Sequence, residues 1–248
     1  HTIWYFVTGV QTCALPISYT LRYWRAPAVA LLINCPGGAP AQASLLASRI
    51  RDLAQRRQKP VLAFVEDIAA SGGYWLACAA DEIWADPSSL VGSIGVISAG
   101  FGFQEAIARL GIERRVHARG PLKDFLDPFR PEDPAHVAVL QEIQGEIYER
   151  FLAYVRERRG ARLTLAEDEL ASGRVWTGAS ALRAGLIDGL GDLNQVLRAK
   201  YGDRVQIRLL NPPRGGWLRA LGPGLPADFA ERLLAALEER LALARFGL

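Results

Sequence analysis

Short apolar runs alternate with amphipathic stretches along the first half of the chain. Residues 29–33 and 61–65 are continuous apolar runs that end at polar or turn residues, as expected of strands buried on both faces. Between them, residues 42–58 place their leucines and isoleucine on one helical stripe, which ends at Lys59-Pro60. This order predicts a β-α-β unit with parallel strands.

The same alternation continues beyond Ser71 and predicts an α/β fold with crossover connections. The predicted elements are helices at 74–79, 103–110, 134–159, 179–184 and 192–201, and strands at 82–85, 90–97, 112–118 and 205–210. Helix 134–159 is the longest, with apolar residues at steps of three and four up to Gly160. Two glycines within 90–97 indicate a close approach of backbones.

Both ends of the chain depart from this pattern. The run Val7-Thr8-Gly9-Val10-Gln11-Thr12-Cys13-Ala14-Leu15-Pro16-Ile17 resembles the in-frame translation of a common sequencing adapter, so we interpret residues 1–18 as non-native. The native N-terminus would then be missing, and the localisation, membrane-associated or cytoplasmic in a bacterium, stays open. At the other end, a Pro/Gly-rich linker at 211–226 leads to an amphipathic helix at 227–248. Its polar face mixes Glu with Arg, which favours packing on protein over binding to a membrane surface.

Composition excludes several classes of function. The 248 residues are half hydrophobic, enough for one substantial core, and the net charge of +3 comes from interspersed basic and acidic residues. Without a clustered basic stripe, nucleic acid is not an expected partner. Cys13, Cys35 and Cys78 have no C-x-x-C spacing, which argues against a disulfide framework and a zinc site. No apolar run reaches the roughly 20 residues of a transmembrane helix.

Ser71 is the candidate nucleophile. It follows a buried strand and precedes a helix, and its small neighbours Ala70 and Gly72-Gly73 would leave its hydroxyl reachable. Local sequence alone is explained at least as well by a serine that caps a helix beside a glycine turn. A second glycine pair, Gly37-Gly38, follows the first strand at the same edge of the sheet. Two such turns favour the functional interpretation, because an oxyanion hole usually takes N–H groups from two loops.

No histidine is well placed to activate Ser71, so a Ser-His-Asp triad is poorly supported. His1 lies in the adapter-like segment. His136 begins the long helix beside Pro134 and is expected at the surface. His117, on a predicted strand, remains the fallback.

Lysine is the more informative residue type. Lys59, Lys123 and Lys200 are the only lysines among 29 Lys and Arg residues. A desolvated lysine can act as a general base, whereas a guanidinium cannot, so a site that needs this role must keep lysine. Lys59 and Lys200 end helices, but Lys123 lies in a loop with bulky apolar neighbours. Adjacent Asp124 would oppose the base role by stabilising the ammonium, unless it points elsewhere.

Five ordered motifs over roughly residues 28–200 resemble those of the signal peptide peptidase family (SppA and SohB-like, peptidase family S49). The motifs lie at 34–38, 70–74, 91–96, the lysine loop running into 128–131, and 173–178 with 184–188. Members of this family are serine proteases with a Ser/Lys dyad and the ClpP/crotonase fold. Cys35 departs from the pattern, because the family commonly has serine before the proline of this turn.

The resemblance implies a role for each matching residue. The implied roles are Ser71 as nucleophile, Lys123 as general base, Ser93 as the hydroxyl that orients the lysine amine, and Gly38 and Gly72 as backbone donors of the oxyanion hole. No metal or cofactor is implied. The implied fold is α/β of the ClpP/crotonase type, with stacked β-α-β units and flanking helices, in a peptidase domain at 19–210.

The implied activity is cleavage of unfolded or membrane-derived peptides, such as remnant signal peptides, by acyl transfer. Short single-repeat members resemble assemblies that complete the dyad between neighbouring protomers, so a homo-oligomer is expected, and membrane association is a further expectation. Two alternatives stay open. A crotonase-like acyl-CoA enzyme would use the paired backbone donors on a thioester oxygen without Ser71 or Lys123, and an inactive oligomerisation scaffold would need neither.

Overall fold

A computed structural model describes residues 2–8 and 26–209, with only the backbone described for 2–8 and 209. The strands are β1 Thr2–Thr8, β2 Val29–Cys35, β3 Val61–Ala70, β4 Glu82–Ala85, β5 Leu90–Gly92, β6 Val175–Thr177, β7 Gly189–Leu190 and β8 Gln206–Leu209. The helices are α1 Pro40–Arg57, α2 Gly72–Ala77, α3 Gln104–Arg109, α4 Pro134–Arg159, α5 Glu167–Leu170, α6 Gly178–Arg183 and α7 Leu193–Tyr201, with a 3-10 turn at Gly160–Arg162.

The strands form one curled sheet in the order β6-β5-β3-β2-β1-β8, and β4 pairs with β3 and β7. Every pair is parallel except β5 with β6. The β2-α1-β3 segment is therefore the predicted β-α-β unit, and the α/β prediction is confirmed. Parallel neighbours bring the carboxyl ends of β2 and β3 to the same edge of the sheet, where Ser71 and the glycine turn at 37–38 lie.

β3 is the central strand and serves two neighbours in succession. Its first half pairs with β4 and its second half with β5. The register between β3 and β2 shifts at this point. Ile33 pairs with Val65, but Cys35, two residues later, pairs with Ala69, four residues later. This bulge leaves Glu66 and Asp67 exposed and bends the sheet.

The core lies on both faces of the sheet, which explains the continuous apolar runs. Val29, Leu31 and Ile33 of β2 pack in the larger cluster with the buried stripes of α1 and α4. Ala28 and Ala30 face the other side and join Val196 and Leu197 of α7. Helices on both faces bury both sides of the parallel strands.

Two predicted strands differ from the structure. The strand predicted at 90–97 ends at Gly92, because Ser93 has a φ of 51° and turns the chain. The strand predicted at 112–118 was wrong: these residues form no strand and are exposed. Ile112, Val116 and Ala118 would lie on one face of a strand, but the described part of the chain places no strand beside them to share hydrogen bonds.

Residues 97–131, which we call the arm, carry unusual apolar exposure. The large exposed side chains of the arm are Ile97, Phe101, Phe103, Leu110, Ile112, Val116 and Leu122. A cleft of about 410 Å³ lies along α3, lined by residues of the arm that include Ile107, Phe129 and Arg130. Isolated apolar side chains on a surface are ordinary, whereas seven large ones within one segment are an unusual concentration.

The two ends of the chain are described only in part. β1 falls within the segment attributed to an adapter and pairs with β2 and β8 through its backbone. Backbone pairing needs no particular sequence, so the attribution of residues 1–18 stays a prediction. The predicted linker at 211–226 and helix at 227–248 lie outside the described residues. Among the helices described, none combines the length and the apolar character needed to cross a bilayer.

Candidate active site

Ser71 occupies a strained turn between β3 and α2. Its φ of 50° and ψ of −118° are a conformation that L-residues seldom adopt. Its N–H donates to the Gly92 carbonyl at 2.8 Å, and its carbonyl accepts from the Trp75 N–H at 2.9 Å. A sharp strand-to-helix turn of this kind lifts a serine hydroxyl away from the sheet, as at the nucleophile of α/β-hydrolases. The side chain is not used as a helix cap, which was the competing interpretation.

The two glycine turns meet at Ser71. A methyl group placed on Gly37 would lie 3.2 Å from Ser71 Cβ and 3.6 Å from its Oγ. A methyl group on Gly73 would lie 2.3 Å from the Cys35 carbonyl oxygen, closer than real contacts allow. The Cys35 thiol donates to the Gly37 carbonyl at 3.3 Å and holds the turn. Backbone contact between these loops therefore requires glycine at both places.

Gly38 and Gly72, the predicted oxyanion donors, lie on these two turns. Gly38 is exposed and has a φ of 151°, whereas Gly72 is buried at the first position of α2. The first N–H groups of a helix have no intrahelical acceptor, so the Gly72 N–H is free to bind an oxygen beside Ser71. Two loops that supply such groups next to a serine can stabilise an oxyanion.

Helix α2 is fixed at both ends. Near its start the fully buried Tyr74 hydroxyl donates to the Leu186 carbonyl at 2.8 Å. Beyond its end, Arg158 donates to the carbonyls of Cys78 at 2.7 Å and Ala80 at 2.9 Å. Positive side chains at a helix C-terminus donate hydrogen bonds to its free carbonyls and interact favourably with the helix dipole. Burial raises the pKa of the Cys78 thiol to about 11, so this thiol stays protonated.

Ser93, predicted to orient the lysine, lies next to Ser71 through the backbone. Its φ is 51°, and its N–H donates to the Arg174 carbonyl at 2.8 Å. The preceding residue, Gly92, accepts the Ser71 N–H. The sequence placed both serines on motifs, and the structure brings them together through the hydrogen bond from Ser71 to Gly92, the residue before Ser93.

Lys123 lies apart from this group. Its side chain is exposed, and its N–H donates to the Gly120 carbonyl at 3.1 Å. Asp124 forms its ion pair with Arg130, so the neighbouring carboxylate points elsewhere. Within the described residues, neither the Lys123 amine nor the Ser71 hydroxyl makes a hydrogen bond. The structure therefore joins Ser71, Ser93 and the glycine turns, but does not join Lys123 to them.

His136 is buried, which corrects the expectation of a surface residue. It is 8% exposed, and its Nδ1 accepts the Leu126 N–H at 3.3 Å. Leu126 has a φ of 52°, and the Phe125 ring lies 5.5 Å from the imidazole between centroids. His136 thus anchors the loop that carries Lys123. A polar residue in the first turn of an amphipathic helix gave no signal of this contact. The fallback, His117, is exposed.

The contribution of β6 was also missed. Arg174 and Trp176 were part of a recognised motif, but nothing in their spacing indicated that they contact the segment of Ser93. The described residues contain no group of three His, Cys, Asp or Glu side chains that could hold a metal ion.

Comparisons with known proteins agree with this geometry. The model of "Peptidase family S49" matches residues 53–205, more than half of the chain. A Brucella abortus protein named Na(+)/H(+) antiporter NhaA is 51% identical over 235 residues, which are 90% of this chain and 32% of that protein. Protease 4 of Haemophilus influenzae is 35% identical over 173 residues, 68% of this chain and 27% of that protein. Serine protease SPPA, chloroplastic, of Arabidopsis thaliana is 34% identical over 171 residues, 68% of this chain and 25% of that protein.

The chain thus spans about a third or less of the length of these relatives. Two solved structures of the "1510-N membrane-bound stomatin-specific protease" share its fold. One, a serine-to-alanine mutant, has a TM-score of 0.53 at 18% identity and covers 86% of this chain and 98% of its own. The other, a lysine-to-alanine mutant in complex with a substrate peptide, has a TM-score of 0.51 at 19% identity and covers 89% and 95%. The chain belongs to peptidase family S49, a family of serine proteases with the ClpP/crotonase fold.

Proposed function

We propose that this chain is a serine endopeptidase in which Ser71 is the nucleophile and Lys123 the general base. The observation that carries the proposal is the strained turn at Ser71, with its hydroxyl between two glycine turns that offer backbone N–H groups. Strain of this kind persists where surrounding structure enforces it, and it concentrates at active sites. A serine that served only as a helix cap would use its side chain as the cap.

The mechanism is acyl transfer. The neutral Lys123 amine accepts the Ser71 proton as Oγ attacks the peptide carbonyl. The Gly38 and Gly72 N–H groups bind the oxyanion of the tetrahedral intermediate, and Ser93 orients the amine. The lysine ammonium then protonates the leaving amine, and water hydrolyses the acyl ester by the same base. Each group returns to its starting protonation state.

The substrate class is unfolded or membrane-derived peptides, such as remnant signal peptides. Relatives named as proteases support peptide cleavage, and the solved lysine-to-alanine relative holds a substrate peptide. An unfolded chain can present its backbone carbonyl groups to the two glycine turns beside Ser71, because it has no secondary structure of its own to satisfy them.

We further propose a homo-oligomer in which a second copy completes the site. Lys123 is exposed on the arm, whose apolar side chains also face solvent in the single chain. Burial of this surface by a second copy would remove the amine from water and favour its neutral form, which is the form a base needs. The same assembly would cover Ile112 and Val116.

We also propose membrane association of the protein, and the amphipathic tail at 227–248, although its mixed polar face favours packing on protein, is the segment of this sequence at which it can be tested. Its test is co-sedimentation with vesicles of anionic and zwitterionic lipid, with and without this tail. Binding that needs the tail supports association. Equal recovery in the supernatant for both chains contradicts it.

Substitution of the dyad tests the proposed activity. We expect Ser71→Ala and Lys123→Ala each to lower kcat/KM for a peptide by about a thousandfold or more. Lys200→Ala is the matched control, because Lys200 pairs with Glu82, which is in register with Leu62 near the start of β3, whereas Ser71 follows the end of that strand. A fluorophosphonate should label wild type at Ser71. Full peptidase activity in either dyad variant contradicts the proposal, and retained thioester chemistry in Ser71→Ala would indicate an acyl-CoA enzyme instead.

A further inference from the structure

Three backbone positions at the site share an uncommon conformation. Ser71, Gly92 and Ser93 have φ values of 50°, 114° and 51°. Ser71 and Gly92 are far apart in sequence, yet the Ser71 N–H donates to the Gly92 carbonyl at 2.8 Å. Both serines of the proposed site therefore belong to one strained backbone unit, whose shape must be imposed from outside.

Strand β6 is in contact with this unit along its length. β6 pairs antiparallel with β5, with Val91 opposite Trp176 and Gly92 opposite Val175. The pairing continues beyond the strand, because the Ser93 N–H donates to the Arg174 carbonyl at 2.8 Å. β5 is only three residues long, so these contacts decide where the chain turns at Ser93.

The Trp176 side chain closes on Gly92 directly. A methyl group on Gly92 would lie 2.6 Å from Cε3 and 2.7 Å from Cζ3 of the indole. Trp176 is 5% exposed, so its ring is held by the core and cannot swing away. The ring thus fills the space beside the Gly92 Cα and restricts its peptide groups.

We propose that Trp176 is a positioning residue for the nucleophile. Through Gly92, it fixes the carbonyl that orients the Ser71 N–H, and with Arg174 it fixes the turn at Ser93. This inference rests on the proposed function, because it assigns Trp176 a role in the chemistry of Ser71. A change at Trp176 therefore displaces both hydroxyls together.

A second tryptophan in the chain supplies a matched control. Trp84 of β4 lies against Gly189 of β7, and a methyl group on Gly189 would lie 2.2 Å from its Cζ3. Trp84 pairs directly with Gly189 across β4 and β7, whereas Trp176 pairs with Val91, the neighbour of Gly92. Trp84 is half-buried and packs against the smaller core cluster, and it is not among the atoms nearest to Gly92. Like Trp176→Phe, Trp84→Phe therefore removes an indole that packs against a glycine, but this glycine is not part of the site.

The experiment compares Trp176→Phe with Trp84→Phe in the full 248-residue chain. Three quantities are measured: amide hydrogen exchange at Ser71 and Ser93, the rate of fluorophosphonate labelling of Ser71 across pH, and kcat and KM for a peptide. We expect Trp176→Phe to speed exchange at both amides and to lower labelling rate and kcat about tenfold, with KM changed by less than about twofold. We expect Trp84→Phe to leave all of these within about twofold of wild type.

The outcomes separate this inference from the proposed function. If wild type is labelled at Ser71 and Trp176→Phe is labelled equally fast, the positioning role is overturned while the peptidase proposal stands. If Ser71→Ala is labelled as fast as wild type, the peptidase proposal fails. Amide hydrogen exchange at Ser71 and Ser93 is then the only test of whether Trp176 holds the turn. Equal exchange in both tryptophan variants overturns the inference. A second pair, Gly92→Ala and Gly189→Ala, forces a methyl group against the same two indoles, and alanine at Gly92 also meets a φ of 114°, so only Gly92→Ala should speed exchange at Ser71 and Ser93.

Discussion

Replacing a glycine by alanine has different effects on stability at different places in this chain, and the structure distinguishes two cases. Gly73 has the Cys35 carbonyl oxygen where a side chain would be, whereas Gly145 in the middle of α4 has nothing within 4 Å of that position. The first is required by the contact between the two turns. The second merely weakens a helix, because glycine gives up more backbone freedom on folding than alanine.

Alanine at these two glycines should therefore change stability in opposite directions. We expect Gly73→Ala to reduce the free energy of unfolding by about 2 kcal/mol through overpacking and to lower peptidase activity. Gly145→Ala should raise the free energy of unfolding by about 0.5–1 kcal/mol and leave activity unchanged. Urea denaturation and peptide cleavage measure both. Equal stability changes in the two variants would contradict the close contact at Cys35.

At the level of single residues, the sequence predicted Ser71 and its glycines because their motif is local. Ser71, Gly72 and Gly73 are consecutive, and their small size shows directly that backbone must come close. The contacts that fix them are distant in sequence. Tyr74 reaches Leu186, and Ser93 reaches Arg174, so neither partner could be chosen without the fold.

The loop of Lys123 depends on the first turn of α4. His136 accepts the Leu126 N–H, and Leu126 holds a left-handed φ that a leucine adopts only under constraint. Without this acceptor, the N–H of Leu126 loses its partner in a half-buried place. The loop should then sample other conformations while the core stays intact.

We expect His136→Phe to speed limited proteolysis within residues 120–131 by about tenfold or more while the global melting temperature changes by a few degrees. Mass spectrometry of the cleaved fragments locates the sites. His117→Phe is the control, because His117 is exposed on the same arm and should leave cleavage unchanged. Equal cleavage in both variants would show that His136 does not anchor the loop.

The C-terminal end of α4 is joined to the sheet by a buried ion pair. Arg159, 3% exposed, donates to both carboxylate oxygens of Asp188, at 2.8 and 3.1 Å. Asp188 also accepts the Ile83 N–H at 2.8 Å. Burial alone would raise the pKa of Asp188, but these hydrogen bonds and the charge of Arg159 outweigh burial and lower it.

Because the pKa of Asp188 is lowered, its contribution to the free energy of unfolding depends on pH. Because its pKa in the folded state lies below the unfolded value of 3.8, the stabilisation is complete above that pH and is lost as the pH falls through the folded value. We expect Asp188→Asn to cost about 3 kcal/mol at pH 7, with a smaller difference from wild type below pH 4. Asp52→Asn removes an exposed partner of Arg49 and Arg56 and should cost less than about 1 kcal/mol. Urea titrations at several pH values test this, and a constant difference down to pH 2 would contradict it.

Elements were predicted best where they are long or buried on both faces. β2 and β3 are continuous apolar runs, and α4 repeats its apolar residues at steps of three and four, so local pattern and tertiary structure agree. The arm is different, because the strand predicted at 112–118 has no partner strand within the described part of this chain. A strand forms only when another backbone shares its hydrogen bonds, which a single sequence does not reveal.

At the scale of the whole molecule, the main unmet requirement of the proposed chemistry is a contact for Lys123. The single chain holds Ser71 and Ser93 half-buried beside the core, while Lys123 lies on the exposed arm. An assembly of identical copies supplies the same arm to every site by symmetry. The apolar side chains of the arm, from Ile97 to Leu122, are the surface that such an assembly would bury.

Mixing two inactive variants tests whether the dyad forms between copies. A Lys123→Ala chain keeps Ser71, and a Ser71→Ala chain keeps Lys123, so a site shared between them regains both groups. If subunits exchange at random in an equal mixture, about a quarter of the sites should be complete, which would restore about a quarter of the wild-type activity. Dissociated chains mixed and reassembled, with each variant alone as control, give the measurement. A mixture that stays as inactive as its components would place both residues of each dyad in one chain, as would wild-type activity that persists undiminished in a monomeric preparation.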